Sequence, residues 1–140
     1  MEYTFRLTGR FKPFVRMTQR SKYVDMQAKA YLASKDRLGW ELLKQMAAQG
    51  WEMIPRGVPL AVVIVIQPAR HTCDLDNQCK GLLDAAQGIV FEDDRWVDTI
   101  VASRQNGEDD MVDFRVFCSS KQGGRVALKS GPKSDRGISL

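Results

Sequence analysis

Ala61-Val-Val-Ile-Val-Ile66 is an unbroken apolar run, five of whose six residues are β-branched. Branched side chains fit an extended chain and crowd a helix. A continuous run, unlike an alternating one, predicts a central strand buried on both faces. Everything else must fold around it.

Upstream, residues 23–49 read as helix. Tyr31, Leu32, Leu42, Leu43 and Met46 recur at helical spacing, and Gly50 is a natural stop. Gly39 in the middle costs about 1 kcal/mol relative to alanine, which leaves one kinked helix or two shorter ones. Tyr3, Phe5 and Leu7 alternate with polar residues, as in a half-exposed strand ending at Gly9. Residues 10–22 form a basic loop interrupted by Pro13.

Downstream, residues 67–73 form a polar loop. Asp76 or Asn77 is expected to cap a second helix over residues 78–87, with Leu82, Leu83 and Ala86 facing the core and Gly88 ending it. Residues 96–103 and 111–118 are expected to be strands, with Asn106-Gly107 between them as a hairpin signal. Trp40, Trp51 and Trp96 are expected in the core. The order β-α-β-α-β-β with short connections predicts an α+β fold: a single domain whose mixed β-sheet is flanked by two helical segments. That domain spans residues 1–118. Residues 119–140 are rich in Gly, Ser, Lys and Arg and cannot bury enough surface to offset their ordering entropy, so a disordered tail is expected.

The chain of 140 residues, 44% hydrophobic and 27% charged, is ordinary for a globular domain. Its longest apolar run is too short to span a bilayer. The N-terminal residues lack the build of a signal peptide, so a cytoplasmic location is expected, without a membrane. Cys73, Cys79 and Cys118 cannot all pair within one chain. His71-x-Cys73-x5-Cys79 lacks the short paired spacing of zinc ligands, so the thiols are expected to be reduced and structural.

The net charge of +4 is unevenly spread. Lys121, Arg125, Lys129, Lys133 and Arg136 against Asp135 give the tail +4, so residues 1–118 balance at zero. Within them, residues 1–22 carry +5, whereas residues 74–113 hold eleven acids against Lys80, Arg95 and Arg104, a net of −8. Basic arms around an acidic centre suit a protein that binds a polyanion at its rim and a cation in its middle.

The acidic centre has internal order. Asp74 and Asp76 lie two apart, and an extended backbone there would project both to one side. Asp94 follows a helix that must return to the sheet, which lets it approach that pair. Converging carboxylates repel unless a divalent ion neutralises them, and oxygen-only donors suit magnesium or manganese. Lys80 lies in the helix's first turn, with Asp84 one turn further at pairing distance. Phosphodiester hydrolysis asks for such parts: a metal-activated water and cationic charge near the phosphorus. Asp-x-Asp-Asn also opens helices as a plain cap, and Glu92-Asp93-Asp94 also suits a solvated turn. A calcium-loop reading fails, because Cys79 and Ala85 stand where Gly and Glu are needed. An aspartyl phosphotransferase fits less well, with too few βα units and seven residues between Ile66 and Asp74.

The run Asp74-Leu-Asp76-Asn77-x-x-Lys80-x3-Asp84-x3-Gly88-x4-Asp93-Asp94 resembles the signature of the RusA-type Holliday junction resolvases, small and often prophage-borne endodeoxyribonucleases. The close likeness covers residues 74–104 and extends loosely back to residue 3. The resemblance implies Asp74, Asp76 and Asp94 as metal ligands for Mg2+ (Mn2+ as substitute) and Lys80 as the essential lysine. Asn77, Asp84 and Asp93 take supporting roles. It further implies a homodimer making paired, symmetric cuts in four-way, branched DNA during recombination and repair. The chain has Trp96 where the family commonly has Gln, and Ala86 where it commonly has Leu. Arg16, Arg20 and Lys22 are the expected DNA-backbone contacts, with Arg70 and Arg104 as further ones. Two other functional classes remain in view: a junction-binding module that does not cut, and a small-substrate phosphotransferase.

Overall fold

The computed structural model describes residues 1–9, 26–69 and 74–119. In chain order the elements are β1 (Glu2–Thr8), α1 (Met26–Gln49), β2 (Leu60–Gln67), α2 (Leu75–Ala86), a 3-10 turn (Asp94–Trp96), β3 (Val97–Arg104) and β4 (Met111–Cys118). The α+β order β-α-β-α-β-β stands, and one mixed four-stranded sheet carries it.

The strands lie in the order β1-β4-β2-β3. β4 is antiparallel to both β1 and β2, and β2 is parallel to β3. The apolar run is central, as expected, but it is not buried on both faces. Tyr3, Val116 and Val62 share one face with Phe5, Phe114 and Ile64, and this face is closed by the core. On the other face Val63 and Val65 are less enclosed, beside exposed Arg115 and half-buried Asp113. Both helices contribute to the one core, through Leu38, Leu42 and Met46 of α1 and Leu82, Leu83 and Ala86 of α2. A β-branched run therefore marked centrality in the sheet without reporting how many faces are covered.

The expected hairpin is absent. β4 lies between β1 and β2, so the segment from Gln105 to Asp110 crosses the end of β2 instead of turning back on β3. Gly107 lies on that crossing, not in a tight turn: a Cβ there would stand 2.7 Å from the end of the flexible Gln67 side chain, which would have to swing aside.

α1 is continuous through Gly39, and the two-helix alternative falls away. A Cβ on Gly39 would stand 3.2 Å from Ile89 Cδ1, so the missing side chain lets the turn after α2 approach. Trp40 departs from expectation: it is 66% exposed, because its neighbours Leu38 and Leu42 supply the buried face. Trp51 does pack, stacked on Tyr3 with ring centroids 4.6 Å apart and edge-on to Phe5.

The two sheet edges are treated differently. Along β1, the Arg6 and Thr8 amides donate to Gln45 Oε1 and Glu41 Oε1. Gln45 Nε2 and Arg37 Nη1 donate back to the Arg6 and Thr8 carbonyls at 2.9 Å. Arg37, Glu41 and Gln45 recur every four residues, so one stripe of α1 satisfies this edge. β3 is the other edge strand. Among the described residues no strand lies on its outer side, and Ile100 and Val101 are 48% and 41% exposed.

Candidate active site

α2 joins the C-terminal end of β2 to the start of β3, so it runs antiparallel to both strands. Its first turn lies at the far end of β3, where Arg104 Nε donates to Gln78 Oε1 at 3.1 Å. Asp74 is the N-cap, extended at φ −68° and ψ 145°, and its side chain makes no capping hydrogen bond. Asp76 and Asn77 therefore do not cap the helix; they lie within its first turn. The expectation that Asp74 and Asp76 project together from an extended chain is corrected as well. Asp74 is extended but Asp76 is helical, so the two do not share one stretch of extended backbone. Asp76 and Lys80 instead share a face, four residues apart, and both line a cleft with Leu75, Cys79, Leu83, Ile100 and Ala102.

Asp94 lies at the other end of α2. The turn that carries it is tied down by buried Val90 and Phe91. The Ile54 amide donates to the Val90 carbonyl and the Glu92 amide donates to the Ile54 carbonyl, at 2.8 and 2.9 Å. The Asp93 carboxylate accepts from the Arg95 amide at 3.0 Å and caps the 3-10 turn. The Asp94 amide donates to Gln87 Oε1 at 3.1 Å, just beyond the end of α2. Burial pushes the Asp94 carboxyl above the usual carboxylate range, and the charges of Asp93 and Asp84 push it the same way, with a backbone hydrogen bond opposing them.

Asp84 belongs to this second end. Its Oδ2 accepts from the Tyr31 hydroxyl at 2.5 Å and pairs with Lys35 Nζ at 3.3 Å, both from α1. Burial and this carboxylate together raise the Tyr31 phenol far above its ordinary value, so it remains a donor at any working pH. Cys79, buried beside the cleft, is pushed up to about 11 by burial, with Asp76 adding and Arg104 opposing. Such a thiol is protonated and inert near neutrality. Cys118 is also free and is exposed.

The acids thus form two groups. Asp74, Asp76, Asn77 and Lys80 stand at one end of α2, and Asp84, Asp93 and Asp94 at the other. Eleven residues of helix from Asp76 to the Gln87 cap correspond to about 16 Å. Among the described residues, no three of His, Cys, Asp and Glu lie close enough to hold a metal ion. Arg16, Arg20, Lys22, Arg70, His71 and Cys73 lie outside the described residues. Arg104 is half-buried in the α2–β3 joint, a structural position that basic charge alone does not reveal. The Trp96 indole Nε1 is buried without a hydrogen-bond partner among the described residues. No described helix is long and apolar enough to cross a membrane.

A small mixed sheet thus carries a helix on which Asp76 and Lys80 share one face, with Asp84 further along it. The model of the family described as Endodeoxyribonuclease RusA matches residues 8–116, and this chain belongs to that family. No curated protein matches the chain.

Proposed function

We propose that this protein is a magnesium-dependent, structure-selective endonuclease that resolves Holliday junctions, acting as a homodimer that makes paired, symmetric cuts. The observation that carries the reading is the family match over residues 8–116, which spans the ordered set Asp74, Asp76, Lys80, Asp84, Asp93 and Asp94. Two further features support it. Lys80 shares a helix face with Asp76, which lets its ammonium face the charge that develops on a phosphate under attack. The net of −8 over residues 74–113 lies between basic stretches, so DNA attracted by the rim meets an acidic centre that needs cations. A two-fold dimer matches a two-fold four-way junction.

The test is a labelled four-way junction incubated with the protein and Mg2+ or Mn2+. Paired nicks at symmetric positions are expected. Asp76→Asn is expected to lower cutting by at least ~100-fold while junction gel shifts persist. Junction binding by the wild-type protein without nicks under any metal condition would overturn the catalytic reading in favour of a binding module.

A further inference from the structure

Among the described residues, Trp40 is the largest apolar side chain that the fold leaves in water. It is exposed although Leu38 and Leu42, two residues to either side, are buried. Single exposed apolar residues are ordinary on a protein surface, but this one has company. Exposed Leu43 lies on the next turn of α1, and exposed Met53 lies beyond the helix end. These three line two adjoining hollows between α1 and the turn after α2. The hollow at Trp40 holds about 230 Å³, with Lys35, Leu43, Gln87 and Ile89 among its walls. The second, of about 410 Å³, shares Leu43 and Ile89 with it and continues to Met53.

Place and charge indicate what this surface meets. Gln87, which lines the first hollow, receives the Asp94 amide on its Oε1 at 3.1 Å. Lys35, which also lines it, pairs with Asp84 at 3.3 Å. The hollow therefore adjoins the end of α2 where Asp84, Asp93 and Asp94 stand, and a DNA strand that reaches those acids runs beside it. Lys44 is exposed and follows Trp40 by four residues, so indole and ammonium share one side of α1. Lys35 and Lys44 thus flank the ring along the helix, with Asp36 as the acid of the lining. An aromatic face between cations is the pattern that holds unpaired nucleic acid, bases stacking on the ring and phosphates meeting the ammonium groups. A base inside a duplex keeps both faces in the stack, whereas a base at a branch point or in a single strand offers one. A hollow of this volume admits one flat ring system, whereas a helix, about 10–12 Å across, spans its mouth.

We propose that Trp40 is a stacking platform for an unpaired nucleobase of the DNA, received in the hollow between α1 and the turn after α2, with Lys44 against the neighbouring phosphate. The choice of DNA as occupant rests on the endonuclease reading. Stacking is tolerant of base identity, so the platform favours branched over continuous DNA without reading its sequence.

Binding is measured by fluorescence anisotropy without divalent ions, so that nothing is cut, on a labelled four-way junction, an oligothymidine and a continuous duplex. Trp40→Ala is expected to weaken junction and oligothymidine binding by ~10-fold, the loss of one base–aromatic stack, and duplex binding by less than ~2-fold. Trp40→Phe keeps a ring and is expected to stay within ~3-fold of wild type, whereas Trp40→Leu, apolar without a π face, is expected to behave as Trp40→Ala. The ring lies mostly in water, so urea unfolding of all variants is expected to match wild type. Irradiation of a junction carrying iodouracil at the branch point is expected to join the DNA to the peptide that contains Trp40.

Trp40→Ala binding all three DNAs as tightly as wild type overturns the platform, as does wild-type protein that binds neither junction nor oligothymidine. Trp40→Leu binding like wild type overturns it in favour of an apolar contact without stacking. Loss of self-association in Trp40→Ala with DNA affinity kept overturns it in favour of a contact between copies. Nicking judges the endonuclease reading separately. Wild type that nicks junctions while Trp40→Ala binds them undiminished overturns the platform alone. Trp40-dependent junction binding without nicks under Mg2+ or Mn2+ overturns the catalytic reading alone.

Discussion

Asp84 shows how much a single side chain can owe to a neighbour distant in sequence. The sequence places Lys80 one turn before it, at ideal pairing spacing. The structure gives its Oδ2 the Tyr31 hydroxyl and the Lys35 ammonium instead, both from a helix some fifty residues earlier. These contacts lock α2 onto α1 beside the Asp94 turn. Tyr31→Phe removes a donor to a carboxylate that is about a third exposed, so water replaces part of the loss. A destabilisation of about 1–2 kcal/mol by urea denaturation is expected, with the helix content unchanged. The residue types of the site were legible, because order and spacing along one chain carry a family signature. Their positions in space were not. Nothing in Asp74-Leu-Asp76-Asn77 says whether the helix starts before or after the second acid, and that single difference decides whether one extended stretch carries both carboxylates.

At the scale of elements, the periodicities located every described strand and helix, and β4 matches residues 111–118 at both ends. Neighbourhood within the sheet was illegible. Asn106-Gly107 is a strong local turn signal, but which strands pair is decided by burial of whole faces, and β4 is better enclosed between β1 and β2. Gly39 illustrates the same limit from the other side. Propensity alone marks it as a weakness, whereas packing marks it as the place where Ile89 reaches α1. Gly39→Ala is expected to change stability by less than about 1 kcal/mol, the helix gain offsetting a tight approach to a flexible side-chain end. Gly39→Val adds more volume than Ile89 can make room for, and a loss of about 1–3 kcal/mol is expected in thermal or urea unfolding.

For the whole molecule, charge sets behaviour towards DNA. The net +4 of residues 119–140 equals the net charge of the entire chain. Deleting residues 120–140 should leave unfolding unchanged and weaken non-specific duplex binding at low salt. Every phosphate that the tail neutralises adds about 0.9 to the slope of log affinity against log salt, so its deletion should lower that slope by up to about 4 in a salt titration. A drop near zero would mean that the tail does not touch DNA.

The placement of β4 has a consequence for how the chain comes into being. Phe117 pairs with Glu2, and Ile64 waits between Phe114 and its parallel neighbour. During vectorial synthesis, β1, β2 and β3 all emerge before the strand that joins the first to the other two. Until then β2 displays an unmatched β-branched edge, and loop-closure entropy across roughly a hundred residues opposes the last pairing. The sheet therefore closes in one late event, after which β2 and β4 are enclosed on both sides. A nascent chain held before β4 is the aggregation-prone species, and a stalled or truncated product would be the form that chaperones have to manage.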